Sequence, residues 1–335
     1  MKISIIIPVY NTEQYLWRCL ESVEFLINQG HEIIIVNDGS TDGSENICIS
    51  FLIKHPEIKY VKQKNAGLSA ARNAGLACAS GDYVWFIDSD DYVNEIATAN
   101  IFKLIQEKES DIICFGRVED YRDYQVKNPK SLENKVYSTG QEYFQESIMK
   151  GSFRTNAWDK IFKRSLIDKF NLRFFEGLLY EDMLFCLQAF MYAESVVTIK
   201  AYPYCYNLSN VSSITKRIRR KDLDVLTFIH LASDFIRGGQ FKVKYESQEF
   251  QLLIFNWVSS CLMHKYAYLS FSEPEADYIV NMVMQDNIFN YAVDYCIVHN
   301  VGLRQRFFAK LLKFSPYWYK IILHNALELK KYINR

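Results

Sequence analysis

Across the N-terminal third of the chain, short blocks of consecutive apolar residues alternate with stretches whose apolar positions recur at three- and four-residue steps. KISIIIPVY (2–10), EIIIVN (32–37), IKYVKQ (58–63), YVWFI (83–87) and DIICFG (Asp111–Gly116) predict strands. Behind the cap candidate Thr12, residues Tyr15, Leu16, Cys19, Leu20 and Val23 keep helical spacing. A polar turn, DGSTDGS, leads into a helix around Ile47 to Ile53, and NAGLS opens an alanine-rich one. Strand alternating with helix predicts an α/β domain: a mostly parallel sheet covered by helices, with right-handed crossovers.

After Tyr121 the period weakens through RDYQVKNPKSLENK, which reads as a surface loop or hairpin. LLYEDMLFCLQAFMYAE predicts a helix with acids at its start, SVVTIKAYPYCYNL a strand, and from Lys221 onward the chain is mainly helical. No internal repeat or linker marks a boundary, so the division is drawn as 1–220 and 221–335. The 335 residues and 49% hydrophobic content describe a globular protein. Lys plus Arg balance Asp plus Glu at 39 each, which gives no reason to expect a nucleic-acid partner. Eight cysteines without C-x-x-C or zinc spacing read as small buried side chains in a reducing cytoplasm. No apolar run reaches membrane-span length, and ISIII is cut by Pro8 without a cleavage site, so neither export nor spanning is expected.

One region breaks the charge balance. From Arg304 to the end there are eight Lys or Arg against one acid, Glu328, interleaved with Phe, Leu, Trp and Tyr. Such a tail fits an amphipathic helix lying on an anionic membrane, and equally a helix docked on its own domain with a solvated basic face.

The candidate chemistry gathers at the strand ends. In VWFIDSDDY the apolar run is what a strand buried on both faces looks like, so Asp88, Asp90 and Asp91 sit where it surfaces. Carboxylates this close repel one another unless a positive charge joins them. Ligands of open parallel sheets bind at the carboxyl ends of strands, which places these acids to hold a divalent cation and its phosphate ligand. PVYN, NDGSTD and KNAGLSAARN converge on the same edge. A nucleotide lying there would meet a tight turn at Pro8, Val9, Tyr10 and Asn11, the Asp38 carboxylate for a base N–H, and basic Lys64 and Arg72.

IIIPVYN, IIIVNDGSTDGS, NAGLSAARNAGL, GDYVWFIDSDDY and LLYEDMLF, in this order, resemble a family 2 glycosyltransferase of the GT-A fold, densely to about residue 120 and thinly to Thr215. The resemblance implies inverting transfer of a sugar from a nucleoside diphosphate, commonly UDP, to a hydroxyl of a glycan or lipid-linked acceptor. It also implies Mn²⁺ or Mg²⁺ and a setting in surface polysaccharide synthesis. By that resemblance Pro8 to Asn11 cradle the nucleoside, Asp38 reads the base, and Gly67, Arg72 and Asn73 line the donor pocket. Asp88, Asp90 and Asp91 match the ribose and metal acids, with Asp90 or Asp91 on the ion. Glu181 and Asp182 match the pair that holds the catalytic base. Asn207 stands where a cation is expected in the strand before Ser-Ile-Thr, with Lys216 or Arg217 as substitutes.

Plainer readings accompany these. DGSTDGS serves as a turn with helix caps, and Glu181 and Asp182 gain from a helix macrodipole; Trp158 and Lys160 of NAWDKIF are placed to contact the acceptor, although a Trp near a helix start is more often packing. A sugar nucleotidyltransferase would carry a Gly-rich loop after the first strand, and PVYNTEQYL has no Gly. A non-catalytic glycan-binding module would not need Asp182.

Overall fold

The computed structural model describes residues 1–121, 124–128, 132–210, 220–263, 274–319, 321–322 and 324–325. Lys216, Arg217 and the end of the basic tail (326–335) lie outside the described residues. Two compact units emerge: Met1–Tyr143 with Arg154–Val211, and Phe144–Phe153 with Ser212–Arg335. The second unit thus takes in a short piece from within the stretch assigned to the first domain by sequence.

In chain order the elements up to residue 207 are β1 (Ile3–Val9), α1 (Glu13–Asn28), β2 (Glu32–Asn37), α2 (Ser44–Lys54), β3 (Lys59–Lys62), α3 (Leu68–Cys78) and β4 (Tyr83–Phe86). There follow β5 (Tyr92–Val93), α4 (Glu95–Glu107), β6 (Ile112–Tyr121), β7 (Tyr124–Asn128), β8 (Lys135–Tyr137) and α5 (Gly140–Met149). The set ends with β9 (Lys160–Lys163), α6 (Arg164–Lys169), α7 (Glu181–Tyr192) and β10 (Val196–Asn207). The sheet order is β3-β2-β1-β4-β9-β6-β10-β5, with β7 on β6 and β8 on β10.

From β3 to β4 every pairing is parallel, as the alternating pattern predicts. Beyond β4 the sheet is mixed. Strand β9 runs antiparallel to both β4 and β6, while β6 and β10 are parallel to each other. The expected surface loop after Tyr121 includes a hairpin, with β7 turning back on β6. Burial explains why three of the first four strands were readable: β1, β2 and β4 are buried along their whole length, as strands covered on both faces must be. Leu16, Cys19, Leu20, Val23 and Leu26 of α1 join Ile3, Ile5, Ile7, Ile33 and Trp85 in one core.

Thr12 does sit at the N-cap of α1, but its hydroxyl bonds to Ser89 Oγ at 3.0 Å. The open amide of Glu13 is met by Asp42 at 3.1 Å, and Asp42 also accepts from the Ser44 amide at 3.0 Å. Asp42 therefore stitches the starts of α1 and α2 together, the turn-and-cap role read from DGSTDGS.

The second unit holds α8 (Asp224–Gly238), α9 (Gln248–Val258), α10 (Pro274–Gln285), α11 (Asn287–Val298) and α12 (Leu303–Phe314). Val225, Phe228, Phe250, Ile254, Phe289 and Val293 are among its buried side chains. Among the described residues no helix is long and apolar enough to cross a membrane.

Candidate active site

Strands β1, β2 and β4 are parallel, so the residues that follow them emerge on one rim. Pro8 and Val9 are still the last residues of β1, and the turn proper is Tyr10 and Asn11. Proline is tolerated there because the β4 ladder has already ended at Ile6↔Phe86, leaving Pro8 paired only with β2. Asn11 adopts a left-handed conformation, φ 51°, held by bonds from the Thr41 amide to its side chain (2.8 Å) and from its own amide to Ser40 (3.2 Å). Tyr10 is left half-exposed on the rim.

Asp38, at the end of β2, is only 2% exposed. Its carboxylate accepts from Gln63 Nε2 (2.7 Å), the Ala66 amide (2.9 Å) and the Gly67 amide (2.9 Å). It thus fixes the loop that starts α3, where Gly67 has φ +93°, a conformation open to glycine at no cost. Lys64 is exposed on that loop, without a hydrogen bond or ion pair among the described residues.

The centre of the site is Arg72, on the first turns of α3 and only 1% exposed. Its guanidinium donates to Asp88 at 2.8 Å, to Glu181 at 2.7 Å and to Asp182 at 2.5 Å. One buried cation therefore joins the end of β4 to the first turn of α7. Its Nε makes no hydrogen bond, and the Phe174 ring lies 5.2 Å from the guanidinium carbon. Next door, Asn73 accepts from the Phe174 amide and donates to the Phe174 carbonyl, both at 2.9 Å, fixing the segment that leads to α7. Tyr180, the residue before Glu181, is left-handed at φ 66°, a costly geometry for a bulky side chain that aims the first turn of α7.

Asp182 has a second tie, from the Ala157 amide at 2.9 Å. Burial pushes its carboxyl up to about 7, with the Arg72 charge opposing and the charges of Glu181 and Asp88 adding to the rise. A carboxylate can accept about four hydrogen bonds, so the two ties leave capacity for a proton from a substrate.

The DSDD acids divide into different environments. Asp91 is 2% exposed, and both its oxygens are engaged, by the Tyr204 hydroxyl at 2.6 Å and the Asn207 amide at 2.7 Å. It pins β10 to the rim. Asp90 is less deeply placed and accepts from Asn210 Nδ2 at 2.8 Å. Burial and the nearby Asp88 charge both raise its carboxyl. Among the described residues no three His, Cys, Asp or Glu side chains converge at metal-ligand spacing.

Asp38, Asp88 and Asp182 are thereby linked through α3 and Arg72, while Asp90 is tied instead to Asn207 and Asn210. Trp158 and Lys160 pack: Trp158 stacks on Tyr204 and Tyr206, and the Lys160 ammonium bonds to Asp159 and the Asn156 carbonyl. Reading the sequence missed Gln63, Tyr204 and Asn210. Only YCYNLSN carried a signal for the last two, as the strand in which Asn207 stands for a cation. Asn207 bonds through its side chain to the Asp90 carbonyl at 3.1 Å.

Residues 4–175, half of the chain, match the pattern of glycosyl transferase family 2. The chain belongs to that family. Within it, glycosyltransferase GlyA of Streptococcus pneumoniae is 37% identical over 215 residues, 62% of this chain and 30% of GlyA. A poly(ribitol-phosphate) beta-glucosyltransferase of Bacillus spizizenii is 27% identical over 290 residues, 78% of this chain and 44% of that protein. The match thus spans less than half the length of either relative. Among solved structures, residues 1–349 of S. aureus TarS superpose with a TM-score of 0.71 at 21% identity, covering 98% of this chain and 92% of that one. The likeness establishes the GT-A fold. TarS has also been crystallised with UDP and with UDP-GlcNAc.

Proposed function

We propose that this family 2 member transfers a sugar from a nucleoside diphosphate, UDP in the first instance, to a hydroxyl of a glycan or lipid-linked acceptor, with inversion. The observation that carries the reading is the Arg72 bridge between Asp88 and Asp182, because it brings a strand-end acid and a base candidate to one place. Asp182 takes the proton of the acceptor hydroxyl as that oxygen attacks the anomeric carbon, and the diphosphate leaves from the opposite face. Glu181 serves as a partner of Arg72 and holds the guanidinium that orients Asp182. Tyr10, Asn11, Asp38, Lys64 and Gly67 form the nucleoside end, with Asp38 both reading the base and fixing the loop beneath it. The UDP and UDP-GlcNAc complexes of TarS support the donor class.

The acids fit a hard divalent cation with few protein ligands. Asp90 and Asp88 are mutually repelling oxygen donors at the rim, and magnesium-type sites often pair one or two carboxylates with substrate phosphates. Asp90 would hold the ion, and Asp91, spent on Tyr204 and Asn207, would hold Asp90's loop in place. Mn²⁺ or Mg²⁺ bound there supplies charge neutralisation for the departing diphosphate.

Surface polysaccharide synthesis fits the relatives, and a peripheral contact with an anionic membrane fits α12. Leu303 (86% exposed), Phe307 and Phe314 (79%) lie near one stripe of that helix, flanked by Arg304, Lys310 and Lys313. The deciding experiment is a panel of nucleotide sugars scored by donor hydrolysis without acceptor and then by transfer. Hydrolysis of no donor in Mn²⁺ or Mg²⁺ would leave only the non-catalytic glycan-binding reading.

A further inference from the structure

Far along the chain from these motifs, the second unit contains a cleft of about 410 Å³, inside the range of roughly 300–1,000 Å³ usual for small-molecule sites. One face of α8 supplies Asp234 and Arg237, the start of α11 supplies Asn287 and Tyr291, and the loop before α9 supplies Tyr245 and Glu246. Tyr245 is buried and anchored from behind, its carbonyl accepting from the fully buried Gln251 amide at 2.5 Å. Tyr291 stacks on it at 5.7 Å and 24° between planes, while remaining 42% exposed. The Arg237 guanidinium lies 3.7 Å over the Tyr245 ring.

His230 of α8 also lines the cleft and is bonded to Asp286 at 2.7 Å, while the other polar groups are held apart. Among the described residues, no hydrogen bond or ion pair engages the side chains of Asp234, Arg237, Glu246 or Asn287. Two acceptor-only carboxylates, a donor-only guanidinium and an amide with both capacities therefore surround an aromatic platform. Aromatic rings present a negative π face, which suits the weakly positive C–H face of a pyranose, and the ring of polar groups suits vicinal hydroxyls. Two carboxylates, Asp234 and Glu246, face the single guanidinium Arg237 in the lining, which disfavours phosphate and other anions.

We infer that this cleft is a binding site for a neutral saccharide, separate from the donor site. Identifying that saccharide as the growing acceptor chain rests on the transferase reading. Its binding does not, because it is measured without nucleotide.

The test is calorimetric titration of the full chain, without UDP or metal, with cellotetraose, maltotetraose, chitotetraose and an anionic control, tetragalacturonate. At least one neutral tetrasaccharide should bind in the millimolar range, and tetragalacturonate more weakly or not at all. Tyr291→Ala and Asp234→Asn should each weaken the neutral ligand tenfold or more, and Tyr291→Phe, which keeps the ring, should bind as the parent does. Unchanged melting curves and circular dichroism separate lost binding from lost folding in these surface variants. Absence of binding by all three neutral sugars, preference for the anion, or an undiminished affinity in Tyr291→Ala would each overturn the inference. Failure of sugar transfer alongside intact saccharide binding would count against the catalytic reading and leave this one standing.

Discussion

Arg72 faces three carboxylates with almost no water around it, so its loss strands negative charge in a place that cannot solvate it. Breaking one side of a buried ion pair costs about 3–5 kcal/mol, and Arg72→Ala should lower unfolding stability by that order in urea titration. Asp182 carries a different prediction. Positioned bases contribute about a hundred- to ten-thousand-fold, so Asp182→Asn should cut kcat by that range while the Kd for UDP stays within about threefold. If UDP affinity collapses together with turnover, Asp182 is a structural partner of Arg72 and not the base. The pH profile is a second check. Asp182 acts as a base only when ionised, and its carboxyl lies near 7, so kcat should climb as pH passes upward through about 7 and fall below it. A rate that is flat between pH 5 and 8 would argue against it. At this scale the sequence offered the candidate acids and hid how they are partnered. DSDD and YEDM were readable as types in a pattern. That Arg72, 16 positions from Asp88, would also neutralise the YEDM acids, and that Asp91 would be spent on Tyr204, depends on contacts between residues over a hundred positions apart.

Among the elements, α3 positions Arg72 by lying directly on β1. Gly75 makes that approach possible, since a Cβ there would fall 2.3 Å from Ile6 Cγ2, in the middle of a fully buried strand. Gly75→Ala should therefore destabilise by about 1–3 kcal/mol through overpacking, against the usual gain of alanine in a helix, with the change read in the midpoint of chemical denaturation. A midpoint that rises would mean the helix can slide outward without cost. Strands β1, β2 and β4 were legible because burial on both faces leaves mostly apolar runs, and β3 was legible by its place in the strand–helix alternation. KIFK of β9 is as short as KYVK of β3 but falls outside that alternation, so only its neighbours in space, β4 and β6, make it a strand. The burial of Lys160 depends on Asp159 and the Asn156 carbonyl, which no hydrophobic pattern records.

For the molecule as a whole, the distribution of charge and exposed apolar surface sets two expectations. The α12 stripe should bring the chain down with phosphatidylglycerol vesicles in sedimentation assays, and a triple Leu303→Asp, Phe307→Asp, Phe314→Asp variant should remain in the supernatant. Raising salt should weaken the contact by screening Arg304 and Lys310. Equal sedimentation of parent and variant would assign α12 to packing alone. Donor binding should likewise need a divalent ion, so UDP titrated in excess chelator should bind at least tenfold more weakly than in Mn²⁺, and equal affinity would remove Asp90 from that role.

The antiparallel insertion of β9 also has a bearing on how the chain acquires its shape. Tyr83–Phe86 has β1 on one side and Lys160–Lys163 on the other, so during synthesis the first half of the sheet stands with a bare hydrophobic edge until that later stretch leaves the ribosome. A fragment ending near residue 121 holds most of the recognisable motifs, yet should aggregate rather than refold, and supplying the remainder as a separate polypeptide is the way to find out whether that seam can close in trans.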